Sequence, residues 1–388
     1  MIPLSYNVRS LQARKVTNLL TALGIGLVVF VLATALMLTE GIKRTFALTG
    51  SDSTAIVIRK GSDAELSSWF DKKHQALVMA AAGVQQNADG KPAGVGEVVL
   101  VVIAKKQGTE LLSNIRVRGV TENVLSFRPE VRIIQGRPAK PGTNEVLIGS
   151  QLVGRFEGMK LGNTFELKKN RPVRVVGVFE SGGSSFESEI WADVDVLRSA
   201  FGREGAVTAV RVKLTSAAAF DGFKAAIESD KQLQLEALRE SDYYAKQSEM
   251  TSAFVQMLGV SFSIFFALGA MIGAAITMHA TVAQRRQEIG TLRAIGFGRL
   301  SVLGSFLVES LFLALVGGLL GLLGALAMGL VKFSMMNFNG WNEVVFSFVP
   351  TGAILIKALT FGGVMGIIGG FFPALRASRV VPAEAIRR

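Results

Sequence analysis

The sequence predicts a membrane protein of four transmembrane α-helices, with a large mixed α/β extracytoplasmic (periplasmic) domain inserted between helices 1 and 2. Three observations predict it. Four long apolar runs hold almost no charge. Basic residues gather beside some ends of those runs and not others. The long segment between the first two runs switches between the two-residue period of strands and the 3.6-residue period of helices. The 388 residues are 49% apolar and only 19% charged, and the mean hydropathy is +0.41.

The runs are Leu19–Leu38 and Phe254–Met278, both uncharged, Leu300–Val331 with Glu309 alone, and Ile354–Leu375 with Lys357 alone. About 20 apolar residues suffice to cross a hydrocarbon core of ~30 Å as a helix. The first run follows Arg9, Arg14 and Lys15 and holds the triplet Ala33-Thr34-Ala35, as a cleaved signal would. It continues past that triplet to Leu38, so an uncleaved span is the expectation. Orientation follows from the basic residues near span ends. Arg9, Arg14 and Lys15, then Arg285, Arg286, Arg293 and Arg299, then Arg376, Arg379, Arg387 and Arg388 must share one side when there are four spans. That side is the cytoplasm, which places both termini inside and Gly41–Glu249 outside.

In order along the chain, residues 1–17 read as an interfacial helix with Leu4, Val8 and Leu11 on one face. Residues 18–40 are the first span and 41–249 the outside domain. In that domain strands are expected at Ala55–Arg59, Glu97–Ala104, Asn114–Val120, Glu145–Ile148, Thr164–Leu167, Val173–Phe179 and Val207–Leu214. Helical spacing follows at Ala217–Glu228, and "GSDAELSSWFDKKHQALVMAAAGVQQNADG" reads as helical as well. Segment 239–250 rises as a stalk into the second span, 250–281. A cytoplasmic helix occupies 282–300, the third span 301–333, an extracytoplasmic loop 334–350, the fourth span 351–375 and a cytoplasmic tail 376–388. Small residues spaced by four let helices approach closely. Gly269 and Gly273, Gly317 and Gly321, Gly362 and Gly366, and Gly366 and Gly370 have that spacing.

Several chemistries are missing. No G-x-x-x-x-G-K-[ST] loop occurs, so this chain is not expected to bind nucleotide as P-loop proteins do. There is no H-E-x-x-H, no cysteine, and only His74 and His279, so no metal site is expected. Ser184 and Ser185 follow two glycines but lie in no G-x-S-x-G elbow. The net charge of +12 is largely the basic residues at the span ends, and no arginine-rich patch with interleaved aromatics points to nucleic acid. Glu309 lies about nine residues into its span, roughly 13 Å deep at 1.5 Å per residue. A buried structural contact with a serine or a basic residue is expected of it, since the spans lack the ionisable chain a proton relay needs. Lys357 can snorkel to the outer surface.

The most informative stretch is "RRQEIGTLRAIGFGR", Arg285–Arg299. As a short helix it places Ile289, Leu292 and Ile295 on one face, with Arg285, Glu288 and Arg293 projecting outward; Gly296 and Gly298 end it. A helix too short to stand alone is held by packing, and a grooved partner protein would supply that.

"RRQEIGTLRAIGFGRLSVLGSFLVESLFLALVGGLLGLLGALAMG" resembles the hallmark of the FtsX/MacB-like family of ABC transporter permeases. "GGFFPALRASRVVPAEAIR" is similar to that family's ending, and "SYNVRSLQARKVTNLLTALGIGL" to its N-terminal elbow and first span. In the outside domain, "GRPAKPGTNEVLIGSQLVGRF", "VRVVGVFE" and "SEIWADVDVLRSAF" are similar too. The size of that domain points to the MacB, LolC/LolE or DevC-like side of the family. The resemblance implies a permease subunit of an exporter or extractor in the inner membrane, acting as a homo- or heterodimer with two copies of a separate cytoplasmic ATPase. ATP and magnesium would be bound by that ATPase, with no cofactor and no catalysis in this chain. Coupling would fall to Arg285, Arg286, Glu288, Ile289, Gly290, Leu292, Arg293 and Gly296, with Ile295 completing the apolar stripe. ATPase closure would be transmitted to the outside domain, moving a lipid, lipoprotein, peptide or small molecule. A periplasmic adaptor or substrate-binding protein is a further partner the resemblance allows. The alternative is an FtsX-like signal transmitter that activates a cell-wall hydrolase without transport.

Overall fold

The computed structural model describes residues 15–230 and 233–381. The expected 1–17 interfacial helix and the end of the 376–388 tail lie largely outside those residues. The described chain divides into two compact units.

The first unit, which runs to Glu40 and takes in Ala253–Lys332 and the chain from Ser347, holds the long apolar helices apart from the end of the first and the start of the second, which belong to the other unit. Helix α1 spans Lys15–Ala47. Between it and the next long helix lie α2 (Lys72–Met79), α3 (Val124–Phe127), α4 (Val194–Phe201) and α5 (Phe220–Ser229), all in the inserted domain. Then come α6 (Glu240–Gln284), α7 (Arg286–Ala294), α8 (Arg299–Ala327) and α9 (Gly352–Ser378). Helices α1, α6, α8 and α9 are long and apolar enough to cross a membrane. Glycine sets how closely three of them pack. A Cβ on Gly317 would overlap the carbonyl oxygen of Ala22, and one on Gly321 that of Gly26, so α1 and α8 touch backbone to backbone. A Cβ on Gly366 would overlap Ala314, and one on Gly370 would overlap Ser310, which fixes α9 on α8. Gly269 and Gly273 of α6 differ: nothing lies within 4 Å of where a Cβ would stand.

The second unit is Gly41–Ser252 together with Phe333–Phe346. Its strands are β1 (Thr54–Arg59), β2 (Phe70–Asp71), β3 (Gly94–Lys105), β4 (Leu112–Val120), β5 (Arg132–Gly136), β6 (Glu145–Gly149), β7 (Thr164–Lys168), β8 (Arg171–Glu180), β9 (Glu189–Asp193), β10 (Ala206–Val207), β11 (Ala209–Lys213) and β12 (Leu235–Arg239). Ten of them form one sheet in the order β12-β1-β11-β3-β4-β9-β6-β8-β5, with β7 on β8. Pairing is parallel only at β4–β9 and β6–β8. The sheet carries two cores. Val57, Val210, Val212, Phe223 and Ile227 fill one, under α5. Val98, Val117, Ile148, Val175 and Leu197 fill the other, under α4.

Two expectations are corrected here. The 61–90 stretch is helical only in part, with a 3-10 turn at Glu65–Ser67 and an α-helix at Lys72–Met79, where Asp71 accepts from the Lys73 amide as N-cap. Before it, Phe70 and Asp71 pair with β10; after it, Gly83 at φ +92° turns the chain so that Val84 bridges to Leu214. The 334–350 segment is not a bare loop. It holds a hairpin, β13 (Lys332–Asn337) and β14 (Asn342–Ser347), that belongs to the inserted domain. Val344 and Phe346 are buried, and Phe346 packs against Phe46. Glu343 accepts from Lys106 Nζ at 2.8 Å and pairs with Ser113 and Arg155. Burial alone would raise its pKa, but hydrogen bonds from Lys106, Ser113 and Ser334 and the charge of Arg155 hold it at about 2.

Candidate coupling site

Helix α6 stops at Gln284 because Arg285 leaves helical geometry, at φ −98° and ψ 16°. The chain turns there and α7 begins. Its end is set by Gly296, whose φ of +107° is open to glycine and strained for other residues. The amide of Phe297 reaches back to the Leu292 carbonyl at 3.1 Å, and Gly298 then caps α8.

This turn separates residues expected on one face. Ile289 is 1% exposed, packed with Met278, Val282, Val302, Phe306 and Ala377 in the core at the base of the helices. Gly290 is buried beside it. Leu292 is half-buried, and Ile295, at the end of the helix, is 72% exposed. The stripe therefore splits: Ile289 faces its own chain and Ile295 faces away from it.

Arg285 is corrected as well. It does not project outward. Its Nη1 lies 3.3 Å from Glu309 Oε2 on α8, and its Nε donates to Glu288 Oε2 at 3.0 Å. Its guanidinium also sits 5.4 Å from the Phe306 ring centroid. Both Arg285 and Glu309 are buried, whereas the Glu288 side chain is 59% exposed. The charge that Glu309 carries into α8 thus meets a cation brought by the turn. Beside it, Thr21, Thr277, Thr281 and Ser310 help line a cavity of about 20 Å³, room for one water. Arg286 is exposed, Arg293 half-buried, and Arg299 and Leu300 exposed at the start of α8. Leu300, 81% exposed, was missed by sequence reasoning because it reads as the first residue of a span.

The apolar helices and this turn define a class: a multi-pass membrane protein whose second and third spans are joined by a short basic helix, held from behind by apolar packing and a buried ion pair. Comparison with known families agrees. Residues 18–230 match the MacB-like periplasmic core domain, and residues 260–382 match the FtsX-like permease C-terminal region. The chain belongs to the FtsX/MacB-like family of ABC transporter permeases.

Among its relatives is the uncharacterized ABC transporter permease MJ1507 of Methanocaldococcus jannaschii, 29% identical over 59% of this chain and 58% of that one. The uncharacterized ABC transporter permease YknZ of Bacillus subtilis is 29% identical over 56% of this chain and 54% of its own. The macrolide export ATP-binding/permease protein MacB of Escherichia coli O157:H7 is 30% identical over 56% of this chain but 34% of its own. The chain thus spans between about a third and three fifths of the length of these relatives. A crystal structure of the extracellular domain of YknZ aligns with 48% of this chain at 19% identity and a TM-score of 0.37.

Proposed function

We propose that the chain is the permease subunit of an ABC-type exporter or extractor of the inner membrane, and that it passes motion from a separate cytoplasmic ATPase to its inserted domain. The observation that carries this reading is the split face of α7. Ile289 and the Arg285–Glu309 pair hold the helix against its own spans. Ile295, Leu300, Arg286 and Arg299 are left exposed, two apolar and two basic side chains on α7, the turn after it and the start of α8. A helix anchored on one side, with an exposed isoleucine at its C-terminal end and an exposed leucine at the start of the next helix, suits a groove in a second protein. In this reading Leu292, Arg293 and Gly296 shape the contact, and Glu288 steadies Arg285 and does not meet the partner.

Two permease copies and two ATPases make up the assembly, both termini are cytoplasmic, and the cargo is a lipid, lipoprotein, peptide or small molecule. The open side of α6 supports a second copy: Gly24, Phe265, Gly269 and Gly273 border an apolar groove of about 640 Å³ between α1 and α6.

The test uses Ile295→Glu. The side chain is exposed, so the substitution leaves the fold unstrained. Burying an isoleucine contributes about 1.5–3 kcal/mol, and a carboxylate in its place opposes burial. Recovery of the ATPase that co-purifies with the wild-type chain should fall ~10-fold or more, since about 1.4 kcal/mol is a factor of ten. Permease levels should stay unchanged. Full recovery with normally coupled ATP hydrolysis would reduce α7 to a turn between spans.

A further inference from the structure

Eight ionisable side chains lie together inside the inserted domain, and no local sequence pattern marks any of them. Four are arginines, Arg116 and Arg118 on β4, Arg128 just after α3, and Arg211 on β11. Four are glutamates: Glu65 on a 3-10 turn, Glu97 on β3, Glu189 on β9, and Glu240, the first residue of α6. Each is at most 3% exposed, and the charges balance. Arg118 grips Glu189 through Nε at 2.7 Å and Nη2 at 2.9 Å, and reaches Glu65 at 2.8 Å and Glu97 at 2.6 Å through Nη1. Arg211 Nη2 lies 2.8 Å from Glu65, and Arg211 also pairs with Glu97. The rings of Phe186 and Trp191 close the cluster, with the Arg128 guanidinium 4.4 Å over the Phe186 centroid.

The end of α6 is the element this cluster holds. Glu240 Oε1 accepts from Arg211 Nε at 2.8 Å and from Arg128 Nη2 at 2.9 Å. One turn on, the Tyr244 hydroxyl accepts from Arg211 at 3.2 Å, and the Tyr243 hydroxyl accepts from the Glu65 amide at 3.1 Å and from Gln247 at 3.0 Å. Opposite, Gly50 lies so close that a Cβ there would stand 2.6 Å from the Glu240 carbonyl oxygen. An apolar contact would let a helix slide or roll with little change in energy. Directional, charge-assisted bonds shielded from bulk solvent do not, because each displaced donor or acceptor loses its partner where bulk water does not reach. The same helix continues to Gln284 and the turn before α7.

We propose that this cluster is a rigid joint, with Glu240 as the positioning residue that locks the rotation and height of α6 to the sheet, so that helix and domain move as one body. The proposal rests on the motion-passing reading above. It assigns the point at which helix motion becomes domain motion.

The test uses the permease–ATPase complex in nanodiscs. The chain has no cysteine, so spin labels can be placed at will. A pair at Lys246→Cys on α6 and Ile103→Cys on β3, both exposed positions, reports the joint, with labelled chain diluted in unlabelled. A single label at Ile103→Cys in every copy reports motion between the domains of two copies. In the wild type the 246–103 distribution should be narrow and unchanged by ATP. Glu240→Gln should at least double its width and at least halve the ATP-dependent change between Ile103 labels. Glu189→Gln, an equally buried glutamate whose partners are Arg116, Arg118 and Trp191, is the control for mere destabilisation. It should leave the 246–103 width as in the wild type. A 246–103 distance that shifts with ATP, or a width that Glu240→Gln leaves unchanged or Glu189→Gln widens equally, overturns the joint. Ile103 labels that do not respond to ATP in the wild type would instead overturn the motion-passing reading, while the 246–103 widths still decide the joint.

Discussion

Arg285 and Glu309 are 24 positions apart, and nothing in local periodicity pairs them. Their meeting requires α6 to end at Gln284 and the chain to turn back toward α8. In a dry setting, removing one partner of such a pair typically costs about 3–5 kcal/mol, while replacing both by apolar groups is often neutral. Glu309→Leu and Arg285→Leu should each lower the yield of monodisperse, detergent-extracted protein by half or more, and the double variant should recover most of it. Glu309→Gln should fall between, because its amide oxygen still accepts from Arg285. Size-exclusion profiles of the four variants decide this, and a double variant no better than the singles would remove the pair from the account. At this scale the sequence marked Glu309 as an acid in need of a contact. It misplaced Arg285, because an ideal helical wheel cannot anticipate the break that points this side chain inward.

Among the elements, the glycines of α8 and those of α6 share a four-residue spacing and differ in consequence. Gly317 and Gly321 meet backbone, which cannot step aside, and overpacking such a contact costs about 1–3 kcal/mol. Gly317→Ala should therefore lower the thermal unfolding temperature of the purified chain, whereas Gly273→Ala should leave it unchanged. Equal losses at the two sites would mean that spacing alone sets the packing. The β13–β14 hairpin makes a similar point about strands. Its residues "KFSMMNFNGWNEVVFS" do not alternate cleanly, and Trp341 occupies φ +49°, a conformation bulky residues seldom adopt. Its place in the domain comes from Glu343 and its partners Lys106, Ser113 and Arg155, far away in sequence.

For the whole molecule, orientation is the property that basic residues predict and helix packing leaves open. The chain's lack of cysteine makes this easy to test. A cysteine at Asp89, on an exposed turn of the inserted domain, should react in intact cells with a reagent that cannot cross the membrane. One at Gln287 on α7 should react only after the membrane is opened. The opposite pattern would invert the topology and place the ATPase contact elsewhere.

Four spans, the inserted domain and the short basic helix were legible from the sequence, because hydrophobic length, charge placement and strand alternation are local properties. Most strands of the domain were legible for the same reason. The short β2, β5, β9 and β12 were not, because they are specified by neighbouring strands and carry no strong pattern of their own. The division of α7 into an inward Ile289 and an outward Ile295 was decided only by tertiary structure, as was the docking of the hairpin. So was the cluster of four arginines and four glutamates. Each of those residues, read alone, is an ordinary surface charge. Only the fold brings them within hydrogen-bond distance in a place shielded from solvent, where their mutual attraction outweighs the cost of burial and holds Glu65 and Glu97 ionised, with pKa values below the usual carboxylate range.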